Sequence, residues 1–182
     1  MKIREATDGD AEALAAIYGH HVLHGLGTFE EAPPAAAEMA ARLSAVQVRG
    51  LPYLVAESET ETVVGFAYAT PFRPRAAYRY TVEDSIYIGP GHVGRGVGKV
   101  LLQGVIDRCA AMGLRQVIAV IGDSGNAGSI GLHRALGFEM TGVLTAVGFK
   151  HGRWVDVVMM QKAINGGAEA PPSAAGLALG GA

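Results

Sequence analysis

Six consecutive residues, Gly94-Arg95-Gly96-Val97-Gly98-Lys99, stand between an apolar run, Ser85-Ile86-Tyr87-Ile88, and an amphipathic pattern from about Val97 to Met112. Glycines at a strand-to-helix junction let backbone N–H groups approach an anion closely. The following helix turns the positive end of its dipole to the same point. A phosphate or pyrophosphate suits that chemistry. A Walker A loop would need glycine where Val93 stands and a hydroxyl after Lys99, where Val100 stands. With no hydroxyl for magnesium, a nucleotide triphosphatase is disfavoured. A dinucleotide fingerprint would need a third glycine in place of Lys99 and a strand–helix–strand series opening before it. The chain has neither.

Other residues around the loop carry chemistry of their own. Glu83 and Asp84 precede it on a strand-like segment, where successive side chains face opposite sides, so only one of the pair can face a pocket. Glu83 suits a general base, or else a solvated carboxylate paired with Arg79. Downstream, Ser124 or Asn126 can cap a helix that carries Ser129 and His133, and Gly137 can end it in the left-handed conformation. Phe72-Arg73-Pro74-Arg75 offers guanidinium groups that hold a carboxylate or phosphinate in paired hydrogen bonds. His20 and His24 lie one helical turn apart, but no third ligand has suitable spacing, so no metal is expected. The single cysteine, Cys109, sits in an apolar helical pattern and reads as a small buried hydrophobe.

Gly96-Val97-Gly98 resembles the acetyl-CoA pyrophosphate loop of the GNAT N-acetyltransferases, with Val93 departing from the usual basic or amide position. Asn126, Ser129, Gly137 and Phe138 fall on that superfamily's second cofactor element, where His133 replaces the usual tyrosine. A narrower resemblance, to the phosphinothricin N-acetyltransferase group, covers roughly Lys2 to Lys162. It is carried by Ile17-Tyr18, His21-Val22, Thr28-Phe29-Glu30, the segment Arg75 to Tyr87, and Val147 to Asp156. Enzymes of that group acetylate the α-amine of phosphinothricin, methionine sulfone, methionine sulfoximine or similar small amino acids.

The resemblance implies an acyltransferase working by direct transfer in a ternary complex, with acetyl-CoA as co-substrate. Glu83 would be the base, and His133 or Tyr87 the proton donor to the departing thiolate. Ile86, Tyr87, Ile88, Gly94, Arg95, Gly96, Val97, Gly98, Lys99, Asn126 and Ser129 would bind the cofactor. Phe29, Glu30, Arg73, Arg75, Tyr78, Glu83 and His133 would meet the acceptor. Relatives of this group are commonly dimers, and Lys150 to Trp154 would then reach a neighbouring subunit's pocket, with a core anchor as the other role for Trp154. Two alternatives stay open: acetylation of protein or peptide amines, and an acetyl-CoA sensor without turnover.

The elements that must position these groups are legible in outline. The 182 residues suit one domain over 1–164, and 49% hydrophobic residues suffice for a sizeable core. A net charge of -2 gives no electrostatic reason to expect nucleic acid or a membrane surface. No signal peptide or membrane-length apolar run appears, so a cytoplasmic enzyme is expected. Strands are predicted near residues 3–6, 53–57, 63–69, 81–88, 116–121, 139–147 and 155–161. Helices follow Thr7-x-x-Asp10, a capping-box pattern, the Pro33-Pro34 break, the glycine loop and Asn126. The fold class is mixed α+β: the resemblance implies a mostly antiparallel, twisted sheet of about seven strands flanked by helices. Residues 165–182 lack large apolar groups to offset ordering and are expected to be disordered.

Overall fold

The computed structural model describes residues 1–60 and 62–179. Seven strands form one sheet: β1 (Lys2–Glu5), β2 (Tyr53–Glu57), β3 (Val63–Pro71), β4 (Thr81–Ile88), β5 (Gln116–Gly122), β6 (Glu139–Lys150) and β7 (Arg153–Ala163). Their spatial order is β1-β2-β3-β4-β5-β7-β6, and only β4 and β5 are parallel. The helices are α1 (Ala11–His24), α2 (Ala36–Gln47), α3 (Val97–Ala111) and α4 (Ala127–Ala135). A parallel pair needs a crossover between its strands, and α3 supplies it.

Local chemistry starts each element. Ahead of α1, Asp10 accepts from the Thr7 N–H at 2.8 Å and from Arg4 at 2.8 Å, and Arg4 also donates to Glu57. One guanidinium, Arg4, thus ties β1, β2 and the entry of α1 together. The predicted capping box forms. Between β6 and β7 the turn is only His151-Gly152, with φ of 51° and 74°. Two positive φ values make a type I′ turn, whose twist matches that of the strands it joins. β6 runs on to Lys150, past the predicted end at Val147, because the ladder resumes after a register shift between Leu144 and Gly148. Within that shift Ala146 takes φ 54° and donates its N–H to the Asp156 carboxylate at 2.9 Å.

Alternation along β4 sets the two faces of the molecule. Tyr87 packs edge-on to Tyr18 of α1, with centroids 4.8 Å apart, while Asp84 reaches His133 of α4. A Cβ added to Gly98 of α3 would stand 3.1 Å from Leu132 of α4 and 3.5 Å from Ile86 of β4. Odd-numbered β4 residues therefore face α1, and even-numbered ones face α3 and α4. Leu14, Met39 and Leu43 fill one face, Leu101, Leu102 and Val105 the other, all fully or almost fully buried.

The described part of the tail, residues 165–179, forms no helix or strand and holds contacts with α3 and the residues just before β4 and β5. Asn165 donates to the Ala110 and Leu114 carbonyls, Tyr80 donates to the Ala174 carbonyl at 2.8 Å, and the Leu177 N–H donates to the Arg79 carbonyl. Leu177 is buried in the main core. One apolar side chain and a set of backbone acceptors anchor a segment whose composition alone predicts no order. Residues 180–182 lie outside the described residues.

Candidate active site

The site begins where two strands part. β4 and β5 pair only over Thr81–Asp84 and Gln116–Ala119. Beyond that, Ser85–Ile88 stays with β3 and Val120–Gly122 stays with β7, leaving a gap between them. The gap opens into a cleft of about 540 Å³ lined by both strand ends, the glycine loop and α4. Extended backbone groups on facing strand edges suit a ligand that is itself extended and carries amides.

At one end lies the loop. Gly94, Gly96, Gly98 and Lys99 line the cleft. Gly94 and Gly96 have φ of 77° and 81°, and Gly96 caps α3. The first helical bond runs from the Val100 N–H to the Gly96 carbonyl, so the N–H groups of Val97, Gly98 and Lys99 have no acceptor within the helix. They stand at the end of α3 where the helix dipole is positive. Among the residues expected to bind cofactor, two side chains do not line the cleft: Val97 is buried in the core and Arg95 is exposed. Val97 can serve the loop only through its backbone.

Ile86, Tyr87, Ile88, Asn126, Ser129 and His133 also line the cleft. Asn126 caps α4, its Oδ1 accepting from the Ser129 N–H at 3.1 Å, whereas Ser124 donates instead to Asp156. Gly137 closes this stretch at φ 83°, the left-handed conformation anticipated for it. Burial against Tyr18 and Tyr68 pushes the Tyr87 phenol well above its ordinary range, so it stays a proton-bearing donor. His133 is held at both ring nitrogens, by the Ser129 carbonyl at 2.8 Å and by Asp84 at 3.0 Å.

Glu83 does not line this cleft. It is half-buried on the α1 side of β4, across from Thr70 of β3. Burial, and then the charge of Asp84, raise its carboxyl above the ordinary range, while Arg73 draws it back. Arg73 lies over the Phe72 ring, and Tyr78 meets the same ring edge-on at 5.7 Å. Arg75 precedes this turn and is exposed. Phe29 and Glu30 sit between α1 and α2. Glu30 accepts from Tyr18 at 2.8 Å and from Arg42 at 2.8 and 3.1 Å. Phe29 presses on Gly148 of β6, where an added Cβ would come within 2.2 Å of the ring. Lys150 is buried and donates to the Thr28 carbonyl at 2.7 Å, while Trp154 is 67% exposed and anchors no core.

Several lining groups escaped sequence reasoning. His21 donates from Nε2 to the Ile88 carbonyl at 2.9 Å, since a carbonyl can only accept, and burial lowers its basicity. Leu26 and Gly27 cross the end of β5 so closely that a Cβ on Gly122 would fall 2.1 Å from the Leu26 oxygen. Gly25-x-Gly27 just after a helix was the available signal. Asp84, weighed only as a rival to Glu83, faces the opposite side with His133. Among the described residues no cluster of three metal-ligating side chains exists, and no helix is long and apolar enough to cross a membrane. Burial raises the Cys109 thiol to about 12, which keeps it inert.

Comparison with known proteins agrees with this geometry. The profile of the acetyltransferase (GNAT) family matches residues 20–138. A phosphinothricin N-acetyltransferase of Alcaligenes faecalis is 53% identical over 165 residues, 91% of this chain and 83% of that protein. An L-methionine sulfoximine/L-methionine sulfone acetyltransferase of Pseudomonas aeruginosa is 41% identical over 87% of this chain and 92% of its own length. A phosphinothricin acetyltransferase of Sinorhizobium meliloti, solved in complex with AcCoA, superposes with a TM-score of 0.92 at 48% identity, covering 94% of this chain and 92% of that one. With its parted strands, its glycine loop at the head of α3 and this extent of shared sequence, the chain belongs to the acetyltransferase (GNAT) family.

Proposed function

We propose that this protein transfers acetyl from acetyl-CoA to the α-amine of a small amino-acid-like acceptor of the phosphinothricin, methionine sulfone or methionine sulfoximine type. The parting of β4 from β5 above an anion-facing helix end carries the proposal, together with 53% identity to a phosphinothricin N-acetyltransferase. The N–H groups of Val97, Gly98 and Lys99 hold the pyrophosphate. The open edge of Ile86–Ile88 pairs with the amides of the pantetheine arm, and Asn126 and Ser129 bond beside it.

Only a neutral amine attacks a thioester, so an ammonium acceptor must first lose a proton. Glu83 takes it, directly or through water, from the α1 side of β4. Arg73, Arg75 and Tyr78 receive the acceptor's anionic end, with Phe29 and Glu30 as the facing wall. A backbone N–H of β4 stabilises the developing oxyanion. The departing sulfur gains its proton from His133 or Tyr87. The enzyme works in the cytoplasm as a homodimer. The exposed apolar groups Val147, Phe149 and Trp154 on the β6–β7 hairpin form the contact that brings one hairpin beside its partner's acceptor loop.

The test is release of CoA thiol from acetyl-CoA with phosphinothricin, methionine sulfone, methionine sulfoximine, ordinary amino acids and a short peptide. Turnover confined to the first three is expected. Turnover of the peptide alone would move the function to protein amines. Acetyl-CoA binding with no turnover on any amine would make the protein a sensor.

A further inference from the structure

We propose that Asp84 is a positioning residue for His133, and that the two act as one unit holding a single shared proton beside the point where β4 and β5 part. The inference deepens the acetyl-transfer reading and rests on it for its use, though not for its geometry. Both side chains are almost fully enclosed, 1% and 2% exposed, yet both line the cleft. Asp84 is also the last β4 residue still paired to β5, opposite Ala119, so the contact braces α4 to the point where the strands part.

Hydrogen-bond inventory fixes the protons. His133 Nδ1 lies 2.8 Å from the Ser129 carbonyl, which can only accept, so Nδ1 carries hydrogen. A neutral ring would then present a lone pair at Nε2. Asp84 Oδ2, 3.0 Å away, presents lone pairs too when ionised. Two acceptors at that distance repel, so one further proton lies between Nε2 and Oδ2. The other carboxylate oxygen, Oδ1, is buried without any partner among the described residues. Burial works against a charged ring, but the hydrogen bond and charge of Asp84 outweigh it and hold His133 above its ordinary range.

The surroundings leave the proton to this pair. From α3 comes the Cys109 thiol, which burial and then Asp84 keep protonated. From β5 come Ala119 and Ile121, and after α4 the Phe138 ring, edge-on to His133 at 5.0 Å. Glu83 faces the opposite side of β4, and His21, His92 and Lys99 lie along other walls of the cleft. In the transfer the acceptor's ammonium nitrogen gives up two protons. One passes through Glu83 to solvent. The shared proton of the pair moves to sulfur, its N–H or O–H bond breaking as S–H forms, and the second ammonium proton restores it.

Nitrogen-15 NMR of the His133 ring in the full chain, without acetyl-CoA, tests the pair apart from activity. The wild type should show both ring nitrogens protonated to a pH above the ordinary histidine value of about 6.5. Asp84→Asn should lower that midpoint, reduce kcat at least tenfold and leave the KM for acetyl-CoA within twofold, with partial recovery in Asp84→Glu. A wild-type Nε2 that loses its proton at or below the ordinary histidine value would overturn the proposal, and this needs no variant. So would an Asp84→Asn protein with unchanged His133 titration and kcat. A wild type that turns over no amine would instead overturn the transfer reading, and the titration would still decide the pair.

Discussion

Glu83 and Asp84 are adjacent in the chain and on opposite faces of the sheet, so one carboxylate stands on the α1 side and the other meets His133 in the cleft. Glu83→Gln should lower kcat by about 10²- to 10⁴-fold, the usual loss for a general base, with little change in the KM for acetyl-CoA. Because burial raises the Glu83 carboxyl, it stays protonated to higher pH than a free one. The acid limb of kcat/KM should therefore lie above the ordinary value of about 4.3 and vanish in the variant. Activity in Glu83→Gln equal to wild type at every pH would remove Glu83 from the mechanism. Strand alternation made the opposition of these two residues readable in advance. Which of them met His133 was not readable, because that depends on where α4 packs. His21 was invisible for the same reason: its bond to Ile88 joins residues 67 apart.

At the scale of elements, the entry of α3 turns three N–H groups without helical acceptors toward one end of the cleft. Gly96 holds φ 81° with nothing within 4 Å of an added Cβ, so alanine would meet no clash, only an unfavourable backbone conformation. Gly96→Ala should cost about 1–2 kcal/mol of stability and raise the KM for acetyl-CoA more than it lowers kcat, as melting and initial rates would show. Gly122→Ala meets the Leu26 backbone oxygen instead and should disrupt the crossing of Leu26–Gly27 over β5 outright. The entry to α1 makes a prediction about acid. Arg4, against the cost of burial, holds the Asp10 carboxyl below its ordinary value. Its contribution is thus complete above the unfolded value of about 3.9 and is lost as pH falls through the lower folded value. Melting temperature should drop over that range in wild type and drop less in Asp10→Asn. Element types and order were legible because helical and alternating periodicities are local. The parting of β4 from β5 was not, since it is set by which partner each strand keeps after Asp84 and Ala119. The docking of the tail hangs on Leu177, too slight a signal to outweigh the glycine and alanine around it.

At the scale of the whole molecule, the β6–β7 hairpin is where large apolar side chains stand exposed together. Phe149 is 58% exposed, packed edge-on to Trp154, while its neighbour Lys150 is buried and fastened to the Thr28 carbonyl. The same short segment thus presents apolar rings outward and braces the Phe29 wall inward. Trp154→Glu should shift the dimer toward monomer in light scattering and raise the acceptor KM, with acetyl-CoA binding unaffected. An unchanged mass would show that this face is not the contact. The two outer rims of the sheet differ in kind. β1 is four residues long and carries Lys2, Arg4 and Glu5, charges that discourage any incoming strand. β6 spans twelve residues, and its outer edge has no partner among the described residues, with Val143, Leu144 and Val147 exposed along it. The interior gap is lined by the glycine loop and α4, whereas the edge of β6 lies along the outside of the sheet and is the longer template for strand addition. A chain kept apart from the proposed partner would leave that template bare, and the consequence would show first in its solubility rather than in its fold.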